Sequence, residues 1–249
     1  MPYRKQHFEN EQTYHVILRA IDNNLLFKDE NDYYRGIFSI YEFNNANPVT
    51  IQKRREERAR FKKSRERVST TEVDKRERLV DVLAFCLMPN HLHLLLKQIK
   101  DYGITKFMMK VGAGFGGYFN RKYHRKGHVF QNRFVDVWID GLDHFKTIFV
   151  YIHTNPVALI EPKWKELGVL DSERAIEFIE SYKWSSYQDY LGKYNFPSVT
   201  QRDFLDDLIG AGSYSMLVNA WINEKKKLRQ MFSFLEKIKV AQNRERVST

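Results

Sequence analysis

Two apolar runs joined by Met88-Pro89-Asn90 constrain this chain more than any other feature. Leu79 to Met88 reads as a strongly apolar strand, and His91 to Lys97 as its hairpin partner across a tight turn. Along a strand, residues i and i+2 share a face. His91 and His93 therefore leave the sheet side by side, while Leu92 turns to the core between them. Two imidazoles on a rigid strand form a pre-aimed pair of metal ligands. The same pair also suits the solvated face of a half-buried strand, and the spacing alone leaves that alternative open.

The hairpin sits within alternating strands and helices. Tyr14 to Ala20 is β-rich and reads as a first strand, followed by turn residues Asp22-Asn23-Asn24. Apolar residues recur at helical spacing from Asp29 to about Phe43, with acidic residues near the start. A helix is expected over Gly103 to Tyr123. Its Gly112, Gly114, Gly116 and Gly117 each weaken it and permit close approach of a neighbouring element or of nucleic acid. Val129 to Ile139 reads as a further strand and Leu142 to Thr154 as a helix, with Phe145, Ile148, Phe149 and Ile152 on its apolar face. The order strand, helix, strand, strand, helix, strand, helix predicts an α+β fold: a ferredoxin-like antiparallel sheet with helices on one or both faces. The expected organisation is one domain over 1–194, with a basic insertion at about 47–78, and a C-terminal helical extension over 195–249.

The formal charge of +10 favours a polyanionic partner. Between Lys53 and Arg67 there are nine Lys/Arg against three Glu, a net of +6, which leaves +4 on the rest. Arg121-Lys122-Tyr123-His124-Arg125-Lys126 interleaves cations with aromatics, a pattern suited to backbone contact and base stacking on single strands. With Arg133, which could equally pair with a carboxylate, the cations Arg121, Lys122, Arg125 and Lys126 are the candidate DNA contacts. A solvated helix end is the competing reading of the first cluster. The glycines of 112–117 lack the strand-glycine-helix context of a phosphate loop, so no nucleotide cofactor is expected. No apolar run approaches the ~18 residues a bilayer requires and no signal peptide is expected at the start, so no membrane partner is expected. The single cysteine, Cys86, lies in an apolar strand; it is expected to be a small core residue in a reducing cytoplasm, and it leaves no ligand set for structural zinc.

Tyr151 and Asn155 are four residues apart and share a helical face. A phenol beside an amide oxygen, facing two strand histidines, would supply a nucleophile and a third neutral metal ligand; taken alone, Tyr151 also reads as an ordinary interface aromatic and Asn155 as a helix C-terminal residue before proline. Tyr118 and Tyr123 are weaker candidates for the nucleophile, because Lys122 and Gly127, not ligand-type residues, follow them one turn later.

Five phrases in order resemble the REP-associated tyrosine transposases, a branch of the HUH single-strand nucleases that also includes the small insertion-sequence transposases. They are Tyr14-His15-Val16; Met88-Pro89-Asn90-His91-Leu92-His93-Leu94-Leu95; Gly127-His128-Val129-Phe130-Gln131-Asn132-Arg133-Phe134; Tyr151-Ile152-His153-Thr154-Asn155-Pro156-Val157; and Trp184-Ser185-Ser186-Tyr187 with Tyr190-Leu191-Gly192. The resemblance spans about Tyr14 to Gly192. It departs from the family at Ala20, where the family has glycine, and over about Asn47 to Arg78 and beyond Asn195. It implies that His91, His93 and Asn155 hold a divalent metal, Mg²⁺ or Mn²⁺, and that Tyr151 is the nucleophile. The implied activity is cleavage and transfer of hairpin-associated single-stranded DNA through a 5′-phosphotyrosine. The resemblance leaves both monomeric and helix-swapped dimeric sites open, and the long C-terminal segment, able to shield its own domain, favours a monomer. A catalytically inactive, domesticated hairpin DNA-binding protein is the alternative, and a metal-dependent RNA-processing enzyme a more distant one.

Overall fold

Strand β1 (Thr13–Arg19) alternates its side chains between two buried environments, and the rest of the fold follows from that. Tyr14, Val16 and Leu18 enter one apolar cluster, while His15 points to the other side and is only 4% exposed. The computed structural model describes residues 8–50, 56, 74, 76–131, 133–210 and 212–247, with side chains to 231 in the last helix. Most of the basic insertion expected at about 47–78, including all of the 53–67 run but residue 56, lies outside the described residues.

After β1 come α1 (Glu30–Glu42), β2 (Val80–Met88), β3 (His91–Gln98), α2 (Gly103–Lys122) and β4 (Val135–Trp138). The sheet runs β2-β3-β1-β4 with every neighbouring pair antiparallel. This β-α-β-β-α-β order with that strand order is the ferredoxin-like arrangement expected from the sequence. One face is covered by α1 and α2: Ile37 and Ile40 of the first, and Phe107, Val111 and Phe115 of the second, pack on Phe85, Leu87, Leu92, Leu94 and Leu96. The other face carries α3 (Gly141–Thr154), followed by α4 (Trp164–Leu167), α5 (Ser172–Ser181), α6 (Tyr187–Tyr190), α7 (Asp203–Leu205) and α8 (Tyr214–Val247). There Phe149 and Ile152 of α3, Ile179 of α5, and Val218 and Ile222 of α8 bury Leu83, Ala84, Cys86 and Leu95. Cover on both faces explains why β2 and the apolar part of β3 read as near-continuous apolar runs. It also removes the solvated-face alternative for His93, which is 2% exposed, while His91 stays partly exposed.

One expected element is shorter than its sequence suggests. The strand read over Val129 to Ile139 forms a ladder with β1 only at Val135–Trp138. Upstream, Ala20 bridges Phe130, whereas Ile17 pairs with Val135. Between these two pairs lie two residues of β1 and four on the partner side, and the mismatch interrupts the ladder. Arg133 falls in this irregular stretch rather than on a strand.

α1 begins where its acidic residues predict. Asp29 caps the helix by accepting from the Asp32 amide, and the Asp32 carboxylate accepts from the Asp29 amide in return. Of the four glycines over 112–117 in α2, Gly114 is the one a neighbour requires: an added Cβ would stand 2.0 Å from the Phe43 ring. Gly112 faces nothing within 4 Å. Gly114→Ala is therefore expected to destabilise the fold by about 1–3 kcal/mol through overpacking. Gly112→Ala is expected to stabilise it by up to about 1 kcal/mol through helix propensity. Denaturant melts of the two variants would check this, and the same sign for both would refute it.

Candidate active site

Pairing of β1 with β3 puts Ile17 opposite His93 and Arg19 opposite His91, so His15, one step diagonal, shares their face. The His91 and His93 rings lie 4.8 Å apart and nearly perpendicular, as the strand spacing predicts. The sequence offers His15 only within the phrase Tyr14-His15-Val16 and with no role in the site, yet its Nε2 lies 2.9 Å from His93 Nδ1. That bond fixes which His93 nitrogen is engaged. His93 Nε2 is left buried with no hydrogen-bond partner. On His91, Nδ1 is held 2.6 Å from the Asn90 side-chain oxygen. Histidine ligands commonly carry such a partner on their second nitrogen, which orients the ring and leaves the first free to bind.

α3 crosses the sheet above these rings. Its Phe145, Phe149 and Ile152 are buried in the sheet-facing core, which leaves Tyr151 half-buried on the flank nearest the histidines. The Tyr151 ring stands 5.7 Å from that of His93 and 5.9 Å from that of His15, edge-on to both. Asn155, one turn later and 1% exposed, donates from Nδ2 to the Tyr151 carbonyl at 2.7 Å and so satisfies an end carbonyl of the helix. Its Oδ1 is turned to the Lys165 ammonium, which donates to it at 2.9 Å. The same ammonium donates to the Tyr151 hydroxyl at 3.0 Å. Lys165, on α4, carried no signal in the sequence.

Burial holds the imidazoles neutral. It lowers His15 and His91 to about 4, with neighbouring His144 and Lys165 adding to the effect on the first and Arg19 and Lys165 on the second; His93 is pushed well below its ordinary value by burial first and by the surrounding His91, His15, Lys165 and Arg19 second. His153, on the buried side of α3 with its Nε2 2.8 Å from Ser186 Oγ, is lowered to about 3 by burial. Neutral rings are the form that binds a metal ion. A folding consequence has a definite sign. Below the unfolded value of about 6.5, the unfolded chain takes up protons that the fold refuses, so stability is lost as pH falls from 6.5 towards 4. Each of these imidazoles is expected to remove about 1–2 kcal/mol by pH 5. Urea melts of the metal-free protein at pH 7.5 and 5.0 test it; equal midpoints would refute it.

A metal ion fits the donors at hand. Among the described residues no group of three His, Cys, Asp or Glu is arranged to hold one. The available set is instead two imidazoles and an amide oxygen: His93 with an orphaned buried Nε2, His91 with Nδ1 already engaged, and Asn155 with an oxygen that already accepts from a cation. Neutral nitrogen and oxygen donors are of the type that accepts a divalent cation.

Residues 45–155 match the family model described as "Transposase IS200 like". That segment is similar to the IS200-like transposases. The matched segment contains His91, His93, Tyr151 and Asn155, whereas His15 and Lys165 lie outside it. Among solved structures, one titled "Structure of the REP associates tyrosine transposase bound to a REP hairpin" is similar, at 14% identity and a TM-score of 0.46, over 82% of this chain and 92% of that one. No curated protein matches the chain.

The cations expected to touch DNA occupy the other helix layer. Lys122 pairs with Asp29 and Asp32, both at 2.7 Å, and the Tyr118 and Tyr123 hydroxyls donate to Asp32 at 2.9 and 2.6 Å. Burial works against the Asp32 charge, but Lys122 and the tyrosines outweigh it and hold the carboxyl below its usual range. Lys122 thus has its charge answered within the protein, and the two rival tyrosines are committed to a carboxylate on the far side of the sheet from the histidines. Arg121 and Lys126 are exposed, and Arg125 lies 5.6 Å from the Phe119 ring centre. This end of α2 is tied to residues 28–32; the adjacent Leu26 and Phe27 amides donate to the Pro89 carbonyl, in the turn that leads into His91. Basic residues and histidines therefore share one end of the sheet. Among the described residues no helix is long and apolar enough to cross a membrane.

Proposed function

We propose that this chain cleaves and rejoins single-stranded DNA through Tyr151, with a hairpin-bearing strand as its target. The observation that carries this reading is the convergence, within one chain, of a half-buried phenol, two neutral strand imidazoles and the Asn155 amide oxygen. In the reaction the Tyr151 oxygen attacks a backbone phosphorus in line. The Oη–P bond forms, the P–O3′ bond breaks, and a strand with a free 3′-hydroxyl departs. The phenol proton leaves to water and the departing oxygen takes one from water. The 5′-phosphotyrosine conserves the bond energy, so a second 3′-hydroxyl can reverse the step without ATP.

His91 and His93, through Nε2, and Asn155, through Oδ1, would hold a Mg²⁺ or Mn²⁺ ion. Bound there, it would supply charge stabilisation to a non-bridging phosphate oxygen. His15 keeps His93 oriented, and the helix layer above excludes water from both rings. Arg121, Arg125, Lys126 and Arg133 would contact the backbone of the hairpin from the end of the sheet that holds His91. Because every site residue comes from one chain, a monomer is the proposed active species. Incubation with hairpin-bearing single-stranded DNA and Mn²⁺ should give a protein–DNA adduct stable to denaturation. Tight, salt-sensitive binding without an adduct under any divalent metal would instead fit an inactive hairpin-binding protein. Cleavage only of the ribose version would fit an RNA-processing enzyme.

A further inference from the structure

We propose that Lys165 is a further catalytic residue of this site, a fixed cation that aims the Tyr151 oxygen and offsets the charge it develops. The inference rests on the reading of Tyr151 as nucleophile. The Lys165 ammonium donates to the Tyr151 hydroxyl at 3.0 Å and lies 4.6 Å from the centre of that ring. Its second acceptor, at 2.9 Å, is the Asn155 Oδ1. A lysine on a flexible stem rarely holds two specific acceptors unless its backbone is fixed, and here it is.

α4, which carries it, is clamped by the C-terminal helix. Trp164 is 1% exposed and packs edge-on against Trp221 of α8, with ring centres 5.2 Å apart. Gly168 closes α4 at φ +81°, and a Cβ there would stand 2.2 Å from the Lys225 carbonyl of α8. The Val169 amide donates to that same carbonyl at 3.1 Å. Only a glycine lets the chain pass α8 this closely, and the passage delivers Lys165 to the phenol. The C-terminal extension thereby acquires a task in the site: it seats α4.

A phenol is a poor nucleophile at neutral pH, and the oxygen that attacks is close to a phenolate. An ammonium at hydrogen-bond distance stabilises that charge and, once the Oη–P bond has formed, can pass its donor to a non-bridging oxygen of the phosphotyrosine. In the return step it stabilises the phenolate as leaving group. Lys165 keeps its proton throughout. Its other bond, to Asn155 Oδ1, can be yielded to a metal ion while the bond to the phenol persists, so the lysine and a divalent cation compete for one oxygen.

Three variants separate the possibilities: Lys165→Met, Lys165→Gln, which keeps hydrogen bonding without charge, and Lys165→Arg. Adduct formation is expected to fall about 100-fold or more in Lys165→Met, a loss typical of one donor aimed at developing charge. Lys165→Arg should recover at least about 10-fold of that loss, and Lys165→Gln much less. Hairpin affinity should stay within about threefold of wild type. Mn²⁺ affinity, read by electron paramagnetic resonance, should be equal or higher in Lys165→Met, whereas a merely structural role would loosen Asn155 and lower it. Adduct formation by Lys165→Met at the wild-type rate, or a fall in its Mn²⁺ affinity, overturns the assignment and leaves Tyr151 in place. Absence of an adduct from wild type overturns the nuclease reading and this inference with it. Should Lys165→Met not fold, the contrast between Lys165→Gln and Lys165→Arg decides, and equal rates for these two refute a role for charge.

Discussion

Tyr151→Phe is expected to lower strand cleavage by at least about 10³-fold while leaving hairpin binding within a few-fold of wild type. The substitution removes one oxygen, and that oxygen is the atom proposed to bond to phosphorus. The ring stays, with its edge-on contacts to His15 and His93. Among the described residues the hydroxyl bonds to Lys165, at a half-exposed position, so the stability change should be within about 1 kcal/mol. Loss of activity therefore cannot be assigned to unfolding. Gel quantification of cleaved hairpin DNA, with a thermal melt of the same preparation, checks both halves. Cleavage by Tyr151→Phe at more than a tenth of the wild-type rate would contradict the assignment.

The second large effect is expected at the imidazoles and is graded. His91→Ala removes a proposed ligand at a partly exposed position, so Mn²⁺ affinity should fall at least about 100-fold with little loss of stability. His15→Ala removes no ligand; it removes the partner that holds His93 Nδ1 at 2.9 Å. Its cost in metal affinity should be about 10- to 100-fold, the range seen when the second nitrogen of a metal-bound histidine loses its partner. Calorimetric titration with Mn²⁺ orders the three proteins as wild type, His15→Ala, His91→Ala. Equal affinities for wild type and His15→Ala would mean that His93 does not depend on its neighbour, and a reversed order would place the metal elsewhere.

Periodicity is what made much of the fold legible. The apolar runs of β2 and β3 are buried on both faces, so their pattern is strong, and the turn at Pro89-Asn90 set their pairing. α3 was readable from the spacing of Phe145, Phe149 and Ile152, and with it the shared face of Tyr151 and Asn155. β4 was overread because Val129 and Phe130 are apolar for a different reason: they pack on the α1–α2 side of the sheet rather than in a ladder. His15 was hidden because its closeness to His93 depends on a register between strands some eighty residues apart, which no local pattern encodes. Lys165 was hidden more deeply. It reaches Tyr151 only because α8, more than fifty residues further on, packs against Trp164 and Gly168.

Charge was the least informative signal. Lys122 sits in the basic hexapeptide at 121–126, yet its ammonium belongs to Asp29 and Asp32. A count of cations cannot tell such an internal pair from a contact that awaits a phosphate. Burial and partners separate them: Arg121 and Lys126 remain exposed at the end of α2 nearest the histidines.

Mapping the covalent adduct is the most direct measurement. After reaction with hairpin-bearing single-stranded DNA and Mn²⁺, nuclease trimming and tryptic digestion, the residual nucleotide should appear by mass spectrometry on the peptide spanning residues 147–163, in which Tyr151 is the one tyrosine. A nucleotide found on Tyr118, Tyr123 or any other side chain instead would contradict the proposed chemistry.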